Sequence, residues 1–395
     1  MGIERARELL LAAVQAVDAR RATERALDRL LEEGERLDGC TLLAWGKASV
    51  GMAEAALDRC RPERSLVIVR DPKAAAGLAR RPGVDVRRGG HPTPAGDAAE
   101  TGRAVWQSAR ALGEGGVLLC LVSGGGSAML ELPAPGVSIE DIQRRTDELL
   151  RAGADIHTLN AERRRLSQLK GGQLARAAAP ARVINVILSD VPGGDVSVVA
   201  SGPSVPPEPH APGFEHVRTE VPADNGTAQD AIVRAGQQQG LRLERRSGFL
   251  SGEARDAGAA FYVDARARCE RQGLDGVVWG GETTVHVTGG GRGGRNQELV
   301  LGAAQVFEGG VLGSLGTDGI DGASNAAGAI MDAAVLERAA AQGLAPQAFL
   351  DANDSESYFR RAGGLVETGP TGTNVADVCL YLHGPAAPRP ALTSR

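Results

Sequence analysis

Two runs constrain the fold of this chain more than anything else in it. They are Val117-Leu118-Leu119-Cys120-Leu121-Val122 and Val183-Ile184-Asn185-Val186-Ile187-Leu188. A strand with one wet face alternates apolar and polar residues, and neither run does. Strands of this kind need cover on both faces, the condition of a parallel sheet with helices above and below. Shorter apolar runs stand at Thr41 to Trp45, Ser65 to Val69 and Val84 to Arg87. Stretches with helical spacing separate them, near Ser49 to Cys60, Gly96 to Leu112, Ile139 to Ala152 and Asp155 to Leu169. Strand and helix in alternation predict an open α/β sheet. Such sheets bind ligands at the carboxyl ends of their strands. Gly46-Lys47, Ser123 to Ser127 and Ser189-Asp190 all fall there.

The remaining chain divides around this core. Glu4 to Glu33 reads as two helices or one kinked helix. Pro203 to Pro222 is rich in proline and polar residues and reads as a linker or ordered loop, with His210 and His216 as solvated residues. Helical stretches follow at Ala223 to Gln239 and Ser251 to Gln272, and strands at Gly276 to Trp279 and Thr283 to Val287. An amphipathic segment spans Asn296 to Phe307, and further strands are expected at Val311 to Leu315 and Val378 to Leu382. The expected domains are therefore 1–222, with the parallel sheet, and 223–395, a second and smaller α/β domain.

Composition removes whole classes of function. The 395 residues are 42% hydrophobic and 24% charged, a globular balance with material for two cores. No apolar run approaches roughly 18 residues, so no membrane helix is expected. Charges stud Met1 to Glu33, unlike a signal peptide. The five cysteines are dispersed, which predicts a reducing cytoplasm and neither a disulfide framework nor a zinc site. A net charge of −5 and 3% aromatics give no basic face or stacking platform for nucleic acid.

Lysine stands at three positions only, Lys47, Lys73 and Lys170, while 41 basic residues are arginine. Lys47, beside Gly46, is the strongest candidate for chemistry. Lys170, before Gly171-Gly172, is open between function and packing, and Lys73 reads as a turn residue. The three glycines between Ser123 and Ser127 let backbone N–H groups converge on an anion, and phosphate is the natural ligand. Asp190, at the tip of a buried strand, suits a general base or metal ligand. Asp318 and Asp321 in Gly316 to Gly322, and Glu282 after a strand, are either Mg²⁺ ligands or turn formers. Gly289, Gly291 and Gly294 match GxGxxG, but Arg292 and Arg295 crowd the loop and no strand ending in Asp or Glu follows about 20 residues on to hold a ribose. His91-Pro92-Thr93-Pro94 reads as a rigid turn. There is no Walker A motif, nucleophile elbow or HExxH.

Taken together, these motifs resemble the glycerate 2-kinases. Gly46 to Ser49, Ser123 to Ser127, Leu166 to Gly172, Ser189 to Gly193 and Ser201 to Pro203 are similar to the N-terminal domain of that family. Gly280 to Thr284, Gly293 to Glu298, Gly316 to Gly322 and Thr368 to Val375 are similar to its C-terminal domain. The resemblance implies a Rossmann-like parallel-sheet domain, a smaller C-terminal α/β domain and an active site in the cleft between them. It also implies ATP-dependent phosphorylation of D-glycerate at the 2-hydroxyl, with Mg²⁺. Lys47, Asp190 and Arg295 become the catalytic candidates. Gly46, Ser49, Ser123, Gly124, Gly125, Gly126, Ser127, Lys170 and Asn374 become nucleotide or substrate contacts, and Asp190, Glu282 and Asp318 metal ligands. Gly194 before Asp195, Ser324-Asn325 and Ala376 depart from the family pattern. Two other readings stay open: an NAD(P)H-dependent hydroxypyruvate reductase, and a kinase of a related sugar acid. The expected partner is a small molecule, not nucleic acid or membrane, and a homodimer is left open.

Overall fold

The computed structural model of the chain describes residues 2–90, 98–153 and 156–386, so the turn expected at His91 to Pro94 lies outside the described residues. Two units emerge. One comprises residues 18–224, the other residues 1–17 together with 225–395. The first helix thus departs from the expected 1–222 grouping. Helix α1 (Ile3–Ala16) buries Ala6, Leu9, Leu10 and Ala13, one helical stripe. That stripe lies on the sheet of the second unit: a side chain at Gly313 would stand 2.8 Å from Leu10. Asp18 ends the first helical stretch and starts the next. Its carboxylate accepts from Arg21 N–H and caps α2 (Ala19–Glu32), which packs in the other unit.

After α2 the first unit runs β1 (Thr41–Trp45), α3 (Ser49–Leu57), β2 (Arg64–Val69), β3 (Val84–Arg88), α4 (Ala98–Arg110) and β4 (Val117–Ser123). It continues through α5 (Ile139–Arg151), α6 (Ile156–Leu166), α7 (Gln173–Ala178), β5 (Arg182–Ser189) and β6 (Val217–Asp224). All pairings are parallel, and the strand order is β3-β2-β1-β4-β5-β6. This is the doubly wound order, whose direction of travel reverses between β1 and β4. The core on one face joins Leu43, Trp45, Ile68, Cys120, Val122 and Ile187 to Val105 and Ala109 of α4 and to Leu174 and Ala178 of α7. Each fully buried aliphatic side chain of this kind contributes about 1.5–3 kcal/mol. Asn185, polar inside β5, is accommodated because its amide donates to Ser204 O at 2.9 Å.

β6 corrects the linker expected over 203–222. It is an edge strand, partly exposed along most of its length, so it carries Arg, Thr and Glu where a central strand would be apolar. Pro222 falls where the β5–β6 register shifts, a position that needs no ladder N–H.

The second unit continues with α8 (Asn225–Gln238), β7 (Leu243–Arg245), α9 (Ala254–Gln272), β8 (Gly276–Gly281), α10 (Arg295–Gly302) and β9 (Gly309–Gly316). Then come β10 (Gly328–Met331), α11 (Ala333–Ala341), α12 (Pro346–Asp351), α13 (Ser355–Ala362), β11 (Leu365–Val366) and β12 (Asp377–Ala386). Its mixed sheet has the order β11-β10-β9-β12-β8-β7. The strand expected at Thr283 to Val287 is reduced to a single bridge between Glu253 and Thr284. Aromatics are scarce in the chain, and this unit concentrates them: Phe261, Tyr262, Tyr358, Phe359 and Tyr381 are all buried in one core. Tyr262 donates to Gly309 O at 3.0 Å, which offsets the burial of its hydroxyl.

Candidate active site

In the doubly wound unit, the ends of β1 and β4 are locked together. Lys47 N–H donates to Gly124 O at 3.0 Å, and Ala48 N–H to Ser123 Oγ at 2.9 Å. A Cβ on Gly46 would lie 2.3 Å from Ser123 O, and its φ of +112° is left-handed, so only glycine fits. The consequence is that Lys47 is exposed on a backbone that is fixed on both sides. It stands between β1 and β4, at the reversal point where such sheets bind ligands. Gly126 is equally constrained, since a Cβ there would meet the Trp45 indole at 2.6 Å. Asp190 follows β5 and is partly exposed, and Val191 N–H donates to Ser189 Oγ at 3.3 Å to shape that turn.

Three of the predicted contact residues are engaged within the fold. Ser49 Oγ donates to Ile68 O at 3.0 Å, tying α3 to β2. Ser123 Oγ is the acceptor that holds Ala48. Lys170, which the sequence left open, is 1% exposed and its ammonium bonds the Glu131 carboxylate. Burial pushes the Lys170 pKa down against the pull of Glu131. These three groups brace the loops.

In the mixed-sheet unit, β12 runs antiparallel between β8 and β9, and Asp377 pairs with both Gly281 and Gly316. The carboxyl ends of β8 and β9 therefore meet the start of β12, which brings Glu282, Asp318 and Asp377 to one sheet edge. The GGRNQE motif supplies the helix α10 that faces it, and each polar member has a partner. Arg295 donates to both oxygens of Asp377, at 2.5 and 2.9 Å, and pairs with Glu282 at 2.8 Å. The backbone N–H groups of Asn296 and Gln297 donate to Asp321 at 3.0 and 2.8 Å. Glu298 takes Arg255 at 2.6 Å.

Burial alone would lower the pKa of Arg295, but Asp377 and Glu282 carry it above its ordinary value. Burial raises Asp377 although Arg295 opposes this. Burial also raises Asp321, to about 6, against the helix N–H groups that hold its charged form. Asp318 accepts from Ile320 N–H at 3.2 Å and is partly exposed, and Asn374 is 7% exposed beside it in the Thr317–Val375 hydrogen-bond set. The planar fork expected of Arg295 thus already holds one of the protein's own carboxylates. Asp377, which organises it, was missed: it lies one residue past Ala376, where the sequence showed only a departure from the family pattern.

The GxGxxG match has a packing explanation. A Cβ at Gly289 would stand 2.2 Å from Ala352 O, one at Gly291 2.4 Å from Asp354 Cβ, and one at Gly294 2.3 Å from the Asp321 backbone. These glycines let a loop pass close to its neighbours. Among the described residues, no group of three or more His, Cys, Asp or Glu side chains is gathered to hold a metal. Nor, among the described residues, is any helix long and apolar enough to cross a membrane.

A doubly wound unit with a lysine and a glycine loop at its reversal point, joined to a mixed-sheet unit with a braced arginine, defines an α/β enzyme class. Residues 5–223 match a domain of unknown function, DUF4147, and residues 275–377 match the MOFRL family. The D-glycerate 2-kinase of Thermotoga maritima is 35% identical, covering 95% of this chain and 97% of that protein. The glycerate 2-kinase of Pyrococcus horikoshii is 30% identical, covering 94% of each. A crystal structure of the Thermotoga maritima glycerate kinase superposes with a TM-score of 0.86 at 34% identity, covering 96% of this chain and 99% of that one. The chain belongs to the glycerate 2-kinase family.

Proposed function

We propose that the protein transfers the terminal phosphoryl group of ATP to the 2-hydroxyl of D-glycerate, giving 2-phosphoglycerate and ADP by in-line displacement. The observation that carries this is the fixing of Lys47 against Gly124 at the β1–β4 reversal point. The names of the relatives supply the substrate. Phosphoryl transfer asks for positioning and charge neutralisation more than covalent chemistry. The exposed Lys47 ammonium neutralises charge on the transferred group. The Gly124–Gly126 loop and Ser127 hold anionic oxygens. Asp190 takes the proton of the attacking hydroxyl. Arg295 keeps N–H groups beyond those given to Asp377 and Glu282, and these meet ligand oxygens.

A Mg²⁺ ion accompanying the nucleotide would be held by one or two carboxylates beside phosphate oxygens. In the doubly wound unit Asp190, as an alternative to its role as base, and in the mixed-sheet unit Asp318 are partly exposed carboxylates that would suit that demand, whereas Glu282 is drawn to Arg295. The bound ion supplies further neutralisation of phosphate charge. Five free, buried cysteines suit a reducing cytoplasm.

The test is ³¹P NMR of a mixture of protein, D-glycerate, ATP and Mg²⁺. A phosphoryl resonance coupled to the C2 proton is expected. A product phosphorylated at C3, or NADPH oxidation with hydroxypyruvate and no phosphoryl transfer, contradicts the proposal.

A further inference from the structure

The proposed chemistry needs the Arg295 guanidinium in one place, and the chain on either side of Arg295 converges on one distant side chain. Asn353 lies in the turn between α12 and α13, 7% exposed and left-handed at φ +51°. Its Oδ1 accepts from Thr288 N–H and Gly289 N–H, both at 2.8 Å. Its Nδ2 donates to Glu298 Oε2 at 3.2 Å and to His286 O at 3.4 Å. One amide therefore ties the loop that leads to Arg295 to the opening turn of α10 that follows it. The partners fix which way this amide points. Backbone N–H groups only donate and face the oxygen; a carboxylate only accepts and faces the nitrogen. Glu298, 2% exposed, accepts on its other oxygen from Arg255 Nε and Nη2 at 2.9 and 2.6 Å.

The rest of the turn serves the same loop. Gly291 N–H donates to Ala352 O at 2.9 Å, Arg292 N–H to Asp354 Oδ1 at 3.0 Å, and Glu356 N–H to Arg292 O at 2.9 Å. Asp354 stands at the N-cap of α13, yet its carboxylate caps no backbone N–H of that helix. It is given instead to Arg292 and to the Ser357 hydroxyl. Asparagine adopts left-handed backbone more readily than most residues, so Asn353 makes the turn and the clamp at once.

We propose that Asn353 is a positioning residue for Arg295, clamping residues 286–289 to Glu298 so that the guanidinium is presented at the sheet edge in one orientation. The proposal rests on the kinase reading for what Arg295 does, and on the hydrogen bonds alone for how Arg295 is held. A misplacement of about 1 Å can cost about 10²-fold in rate, so such a clamp matters more to turnover than to stability.

The experiment is a double-mutant cycle with Arg295. Asn353→Gly accepts the left-handed turn and removes the clamp, and melting temperature checks that the fold survives. Its kcat/KM for D-glycerate is expected to fall about 10²-fold. In an Arg295→Lys background the same substitution is expected to change kcat/KM by less than about two-fold, because the fork that it positions is gone. Equal losses in the two backgrounds overturn the proposal. Asn353→Asp keeps the acceptor for both loop N–H groups but sets a carboxylate against Glu298, so it loses activity too. Adding Glu298→Gln restores a donor opposite an acceptor and is expected to recover about ten-fold; no recovery overturns the proposal. ¹⁵N NMR of the Arg295 side chain reads the clamp without turnover and separates it from the kinase reading. The Nε–H held by Asp377 is expected to exchange with water about ten-fold faster in Asn353→Gly. Faster exchange supports the clamp even if no phosphoryl group is transferred, and unchanged exchange overturns it even in an active kinase.

Discussion

Arg295 grips Asp377 with two parallel hydrogen bonds, Nε to Oδ2 at 2.5 Å and Nη2 to Oδ1 at 2.9 Å, and the Asp377 side chain is only 5% exposed. The pair fixes the guanidinium plane at the sheet edge where β8, β9 and β12 meet. Breaking a buried pair from one side leaves a charge uncompensated, which costs about 3 kcal/mol. Asp377→Asn is therefore expected to lose about that much stability and most activity. Arg295→Met combined with Asp377→Leu is expected to regain most of the stability and none of the activity. Denaturant unfolding and kcat measured on all three check this.

In the proposed function Lys47 serves the chemistry. Its side chain is exposed while its N–H is held by Gly124, so truncation leaves the loop in place. Lys47→Ala is expected to lower kcat about 10²- to 10³-fold, the scale of removing one preorganised charge-stabilising group. Its melting temperature should match the wild type. A normal kcat would remove Lys47 from the mechanism.

Gly46 is where fold and site are hardest to separate. Gly46→Ala forces a methyl group to 2.3 Å from Ser123 O at φ +112°. Overpacking and backbone strain together are expected to cost about 2–3 kcal/mol. Lys47 would shift with its neighbour, so kcat falls too. Unfolding curves and kinetics on the same preparation test both parts.

Asp321 gives the fold a pH dependence of defined sign. Burial lifts it from an ordinary 3.8 to about 6, with Asp377 adding repulsion and the N–H groups of Asn296 and Gln297 opposing. Below the unfolded value both states are protonated. As pH rises from there through the folded value, the unfolded chain ionises first and stability falls. The loss reaches about 3 kcal/mol once the folded carboxyl has ionised. Relative to Asp321→Asn, the wild type is expected to lose that much between about pH 4 and pH 7. A difference that stays flat with pH contradicts the assignment.

Much of the doubly wound unit was legible because its signals are local. Short apolar runs with no alternation, rich in β-branched residues and closed by glycine, fit covered strands, and the loops that follow them fall at their carboxyl ends. β6 was hidden because an edge strand carries polar residues. The placement of α1 depends on which sheet its apolar stripe meets, and the stripe alone does not say. The site divides in the same way. Lys47 stood out through the scarcity of lysine, and Gly46 through its neighbour. Asp377 and Glu131 gave no local signal, since each matters through a partner far away in sequence: Arg295 and Lys170. Ser49 and Ser123 looked like ligand groups because a hydroxyl that braces a loop reads the same in sequence as one that binds a phosphate.

The most direct measurement couples product formation from D-glycerate, ATP and Mg²⁺ through enolase and pyruvate kinase, with phosphoglycerate mutase left out. Wild type and Lys47→Ala are run side by side. Only 2-phosphoglycerate feeds enolase directly. The account predicts signal from the wild type and a loss of two orders of magnitude or more in the variant. Signal that appears only when the mutase is added, or equal signal from both proteins, would contradict it.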